Sequence, residues 1–131
     1  MKHEGNTLDE AVEVVLMNCP ASPQWSDESF LSCLENSGTW DMTKYWQLEC
    51  GLHSLIKHEL DTSIYAAVFK IFARMSRLFS AHYHALDVFE FKNLAPDDLL
   101  EFHERVEMIF ERVFLKKMPD QGGFNFNNPD L

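Results

Sequence analysis

The chain has 131 residues, 46% of them hydrophobic, and its 21 acidic against 11 basic side chains give a formal net charge of -10. That length carries one ordinary core, and eleven Phe suffice to fill it, so a single compact domain is expected. The acidity argues against a binder of nucleic acid or of anionic membranes, whose surface must be basic, and it steers basic protein partners toward the chain.

The sequence lacks a run of about 18 apolar residues, the minimum for a bilayer span. Its opening segment, MKHEGNTLDE, lacks the basic-then-apolar order of a secretion signal, so a cytoplasmic location is expected. Cys19, Cys33 and Cys50 are odd in number and without CxxC spacing. They read as small buried hydrophobes, not as a disulfide framework or a zinc ribbon.

In chain order, Thr7 and Glu10 form a Thr-x-x-Glu capping box, and Leu8, Ala11, Val12, Val15 and Leu16 share one side. The spacing predicts a short helix from Thr7 to about Asn18. Pro20 and Pro23 end it. Ser26 then reads as the cap of a second helix, with Trp25 packing on Phe30 as a hydrophobic staple and Phe30, Leu31 and Leu34 facing inward. It stops near Asn36-Ser37-Gly38.

A third helix is expected from Asp41, whose carboxylate caps the first turn, to about Leu60 through Tyr45, Leu48, Leu52, Leu55 and Ile56. Gly51 in its middle marks a close helix contact. A sharp hairpin at Glu59-Leu60-Asp61 is expected to lay this helix antiparallel on the next one. That next segment, Asp61 to about His84, is the organising element. Ile64, Val68, Ile71, Phe72, Met75, Leu78 and Phe79 form one broad apolar face, and Asp61 or Thr62 supplies the cap. Lys70, Arg74 and Arg77 lie opposite and are expected to pair with acids of neighbouring helices.

Between Ala85 and Pro96 the period is lost, and no second strand-like run exists to pair with this stretch, so it reads as an irregular connector. Pro96 opens a final helix to about Lys117. Leu99, Phe102, Val106, Ile109, Phe110 and Val113 centre on one side, with Asp97, Glu101, Glu104 and Glu111 on the other. The fold class is therefore all-α: a compact bundle of about five helices around the long one, spanning residues 1–118. Residues 119–131 form a Gly- and Asn-rich tail that reads as disordered, with Phe124 and Phe126 as its possible anchors.

The chemistry is sparse. GxSxG, P-loop, GxGxxG and HExxH patterns are absent, and no enzymatic activity or cofactor is expected. His82, His84, Asp87 and Glu90 are the only close metal-competent group, but His82 and His84 point about 200° apart on a helix and cannot share an ion there. His82 reads instead as a hydrogen-bonded core histidine, with Asp87 as its acceptor. Trp25, Trp40 and Trp46 read as core before interface anchors, and Trp40, in a loop between Gly38 and Asp41, is the one of the three most expected to be exposed as an anchor.

His82 and the run Asp87-Val88-Phe89-Glu90-Phe91-Lys92-Asn93-Leu94, with Asp98-Leu99, Glu104-Arg105, Phe110-Glu111, Phe114 and Met118-Pro119, resemble a helical family of immunity proteins. Its members belong to bacterial polymorphic toxin and contact-dependent growth inhibition systems. The likeness covers about the C-terminal half, with further support from Trp46-Gln47-Leu48 and from Val68 to Phe72. Between Phe114 and Met118, where the family carries small residues, this chain has Leu115-Lys116-Lys117.

The resemblance implies a cytoplasmic inhibitor that binds one cognate toxin domain of a large secreted protein in 1:1 ratio. The toxin is expected to be a nuclease with a basic cleft, an RNase before a DNase. Acidic side chains standing in for phosphates are the expected contacts. Three acidic groups qualify: Asp9, Glu10 and Glu13; Asp27 and Glu28; and Asp97, Glu101, Glu104 and Glu111; an exposed Trp40 loop is a fourth candidate contact. His82, Asp87 and Asn93 are expected to be structural. Two other functions compete with this one: an acidic helical adaptor or regulatory subunit for a different basic protein, and a metal-dependent hydrolase built on His82, His84, Asp87 and Glu90.

Overall fold

Helices form where an apolar 3.6-residue period meets a residue able to start one. The computed structural model describes residues 7–119 and 123–131. It contains α1 (Leu8–Met17), α2 (Phe30–Ser37), α3 (Met42–Leu55), α4 (Thr62–Tyr83) and α5 (Pro96–Leu115), and no strand among the described residues. Thr7 Oγ1 accepts from the Glu10 N–H at 3.2 Å and Asp41 Oδ1 from the Lys44 N–H at 3.0 Å, each satisfying a donor that the first turn leaves free. Pro96 stands at the start of α5, and Lys116 closes that helix in the left-handed region at φ 57°.

Three local expectations need correction. The cap of α2 is Ser29, whose Oγ accepts from the Ser32 N–H, while Ser26 Oγ accepts from the Glu28 N–H and only closes a turn. Both serines have the right chemistry. Asn18, the residue ending α1, decides between them by accepting the Leu31 N–H at 3.1 Å from inside the protein. Asp61 stands at the N-cap position of α4, but its carboxylate makes no capping hydrogen bond.

The third correction concerns packing. α3 ends at Leu55, short of Leu60, and does not lie on α4. Instead α1 and α5 each pack against both α3 and α4, so the four helices form a ring with α3 and α4 at opposite corners. α2 closes one end by touching α3 and α4. A Cβ on Gly51 would stand 3.3 Å from Val14 Cγ1, so the missing side chain is what lets α1 sit tightly on α3.

Trp40 fills the middle of the ring. It is 2% exposed, against the expectation of a surface anchor, and its ring lies 4.8–6.2 Å from those of Phe30, Tyr45, Phe79, Phe91 and Phe102. Gly38 turns the chain inward at φ 70°, and a Cβ there would come within 2.3 Å of the Glu90 carbonyl oxygen. Only glycine permits both. Asn93 then receives the Trp40 N–H on Oδ1 at 2.7 Å and donates Nδ2–H to the Trp40 carbonyl at 2.9 Å. That two-way clasp fastens the connector between α4 and α5 to the loop between α2 and α3.

Candidate functional site

The acids proposed for partner binding divide by location. Asp9, Glu10 and Glu13 are exposed on α1, with Glu10 Oε1 also accepting the Thr7 hydroxyl at 2.9 Å. Asp27 and Glu28 are exposed on the turn before α2. Glu28 lines a hollow of about 210 Å³ with Val14 and Met17 of α1 and Lys44 and Gln47 of α3, so that turn stands beside α1. Asp97, Glu104 and Glu111 are exposed along α5. Glu101 is not free: its two carboxylate oxygens accept the Asn125 and Phe126 N–H groups, both at 2.8 Å.

The basic side of α4 behaves unevenly. Arg74 pairs with Glu35 of α2, whereas Lys70 and Arg77 are exposed and pair with no acid among the described residues.

His82 is half-buried, and its Nδ1 accepts the Phe91 N–H at 3.0 Å. Asp87 does not serve it. That carboxylate is exposed and accepts the Phe89 N–H at 2.9 Å, while His84 Nδ1 accepts the Leu86 N–H at 3.2 Å. Each side chain caps its own piece of the connector, because loop N–H groups need acceptors and these lie nearest. Among the described residues no three His, Cys, Asp or Glu converge on a point able to hold a metal ion. The connector also displays Leu86 and Val88 almost wholly to solvent.

A buried charge network escaped the sequence reading. Arg105 of α5 is 0% exposed and grips Glu49 of α3, itself 1% exposed, through Nε at 2.7 Å and Nη2 at 2.8 Å. Glu49 Oε2 also accepts the Tyr45 hydroxyl, and Oε1 the Asn128 amide at 3.3 Å. Arg105 Nη1 donates to the Phe126 carbonyl at 2.6 Å, and its guanidinium lies against the rings of Trp46 and Phe124. Burial first, then the charge of Glu49, pushes the Tyr45 hydroxyl well above its ordinary range. Burial works to lower Arg105, but the hydrogen bonds and charge of Glu49 outweigh it and hold the guanidinium raised.

The pattern did carry a signal. Glu49 follows Tyr45 by one turn and precedes Leu52, so it lies on the inner face of α3. Arg105 falls about 40° from Ile109 and about 60° from Phe102 around α5. One acid and one base on inward faces of two helices can be buried only if paired.

The same network orders the tail. Phe126 packs on Phe102 with tilted rings, centroids 5.0 Å apart, and buried Asn128 donates to the Trp46 carbonyl at 3.1 Å. Residues 124–131 thus lie along α3 and α5, correcting the expectation of disorder. Polar tail atoms are held because Arg105 and Glu49 need them.

Between α4 and α5 lies an open groove of about 370 Å³, lined by Phe69, Phe72, Phe110 and Phe114 with Glu107 and Glu111. Phe69 is 59% and Phe114 43% exposed. Exposed phenylalanines side by side on so acidic a chain are the feature that solubility alone does not explain.

Comparison with family models, with curated proteins and with solved structures finds no match to this chain.

Proposed function

We propose that this chain is an immunity protein: a binding module without enzymatic activity that neutralises one cognate toxin domain in the cytoplasm of the producing bacterium. The toxin is a basic nuclease, an RNase before a DNase, held in 1:1 ratio. The observation that carries this reading is the division of charge. The buried ionisable groups Glu49, Arg105 and Tyr45 are consumed by one another, whereas Asp9, Glu13, Asp27, Glu28, Asp97, Glu104 and Glu111 stand exposed and form no ion pair with a described residue. Free carboxylates on a rigid helical scaffold suit a surface lined with phosphate-binding cations. The resemblance of the region from His82 to Pro119 supplies the family.

The test is affinity capture of the tagged chain from its native cells, with mass spectrometry of what co-elutes. The expected result is the C-terminal domain of a large secreted protein, in equal amount and retained at moderate salt. Charge reversal of two contacting acids should then weaken binding by about 2–5 kcal/mol where they are buried against toxin cations. Unchanged affinity after reversal at every cluster rejects the acidic contact, and capture of a housekeeping complex favours the adaptor.

A further inference from the structure

The groove between α4 and α5 is built from side chains whose alternative is burial. Phe72 and Phe110 form its floor with centroids 5.5 Å apart, and Tyr65 with Phe114, 5.9 Å apart, closes one end. The pairings Tyr65 with Phe114, Phe72 with Phe110 and Phe79 with His103 show that the two helices run antiparallel, so the groove follows their axes. Its volume accommodates two or three apolar side chains, such as one helix face presents at i, i+3 or i+4.

The rims differ. On α5, Glu107 and Glu111 stand one turn apart. Among the described residues Glu107 has His103 Nε2, at 3.3 Å, as its one ion-pair partner, and Glu111 has none. On α4, Ala66 and Ala73 flank Phe69 one turn to either side and are exposed, so a second backbone can come close there. Lys70 points about 100° away from Phe69, and Arg77 about 80° away and about 12 Å further along α4, both on the side turned from α5 and too far to neutralise the acidic rim.

We propose that this groove receives an amphipathic helix of the partner protein, with two or three apolar side chains on the four Phe and Lys or Arg side chains on Glu107 and Glu111. The occupant is basic because one rim carries two carboxylates and the other carries no charge. A second copy of the chain brings the same acidic rim and a net charge of -10, so self-association through this face is repelled. The chain's own tail is committed elsewhere, since residues 124–131 lie on the α3 side of α5. The aromatic centre supplies affinity by excluding water, and the carboxylates set orientation and on-rate.

This deepens the immunity reading and rests on it for the identity of the partner, while the groove itself can be tested alone. The full chain, labelled with 15N, is titrated with a synthetic helical peptide of about 16 residues bearing Leu on one face and Lys on its flanks. A second peptide replaces each Lys by Glu. The amides of residues 66–76 and 107–115 are expected to shift with the first peptide, and the second should bind at least about tenfold more weakly. F69S/F114S should abolish the response with little change in circular dichroism, and E107K/E111K should reverse the preference between peptides.

Three results overturn the proposal: no groove shifts at about 1 mM peptide, equal binding of both peptides, or a concentration-dependent dimer that F69S/F114S dissolves. Capture of a toxin by the F69S/F114S variant at unchanged affinity leaves the immunity reading standing and removes the groove from it. Peptide seated in the groove, with no toxin captured by the native chain, does the reverse.

Discussion

Around α5, Arg105 faces the seam with α3 and Phe114 the seam with α4, about 180° apart on the helix. The first seam encloses a buried ion pair and is sealed by the tail, through the Phe126 carbonyl, the Phe126 ring and the Asn128 amide. The second holds only phenylalanines at its floor and is left open. The contrast follows from what each seam contains. An ion pair removed from water must have its remaining donors and acceptors satisfied, or it costs several kcal/mol. Exposed rings cost only the area-proportional hydrophobic term, about 25 cal/mol per Å². A polar seam must be finished inside the chain, whereas an apolar seam can wait for a partner.

The largest test of this difference is Arg105→Met. It leaves Glu49 buried without its cation, and unfolding in urea should show a loss of about 3–5 kcal/mol. E49M/R105M should lose less than R105M alone, since no unpaired charge remains. A cost below about 1 kcal/mol for the single variant would contradict the account of the sealed seam.

Truncation after Pro119 comes next, at about 2–4 kcal/mol, because it removes the Phe126 contact and the hydrogen bonds of Asn128 and of the Phe126 carbonyl. It also carries a chemical readout. Burial, and then the nearby Asp130, push the Cys50 thiol up to about 12, so iodoacetamide at pH 8 should spare Cys50 in the full chain and alkylate it in the truncated one.

The charged seam also has a pH signature of smaller size. The Tyr45 hydroxyl is raised above its ordinary 10.0, so the unfolded chain releases that proton first. Its stabilising contribution is complete below about pH 10 and is lost as pH rises through the folded value. Beside it, burial, reinforced by Lys57, lowers His53 below 6.5 despite the attraction of Glu49. The unfolded chain then binds more protons, so stability should fall as pH drops below about 6.5. Urea midpoints against pH should show the alkaline limb flattened by Tyr45→Phe and the acid limb by His53→Gln.

The open seam should give the smallest effect on stability. Phe69→Ser and Phe114→Ser are each expected to change unfolding free energy by no more than about 0.5 kcal/mol, which thermal melts can check. A loss of several kcal/mol at either position would mean that the groove is part of the core and not a free surface.

Much of the fold was legible because it is written in short-range pattern. Thr7 and Asp41 cap the helices they were expected to cap, Pro96 opens α5, and Leu99, Phe102, Val106, Ile109, Phe110 and Val113 are all buried. The connector from His84 to Ala95 is irregular, and Gly51 marks a close contact. The candidate site was less legible. Trp40 looked exposed because its immediate neighbours are loop residues, and Glu101 looked free because nothing local shows the tail returning to it. Ser26 and Ser29 were equivalent until Asn18 chose between them.

By itself the sequence determined where α1, α3, α4 and α5 begin, which faces the helices bury and how acidic the chain is, because caps and amphipathic periods act over one or two turns. Tertiary structure alone decided that Asn93 clasps Trp40, that Arg105 meets Glu49, and that Phe69 and Phe114 remain in water. Each depends on which helices become neighbours in the ring, and that choice is made by total burial and the satisfaction of distant polar groups, terms that no local window contains.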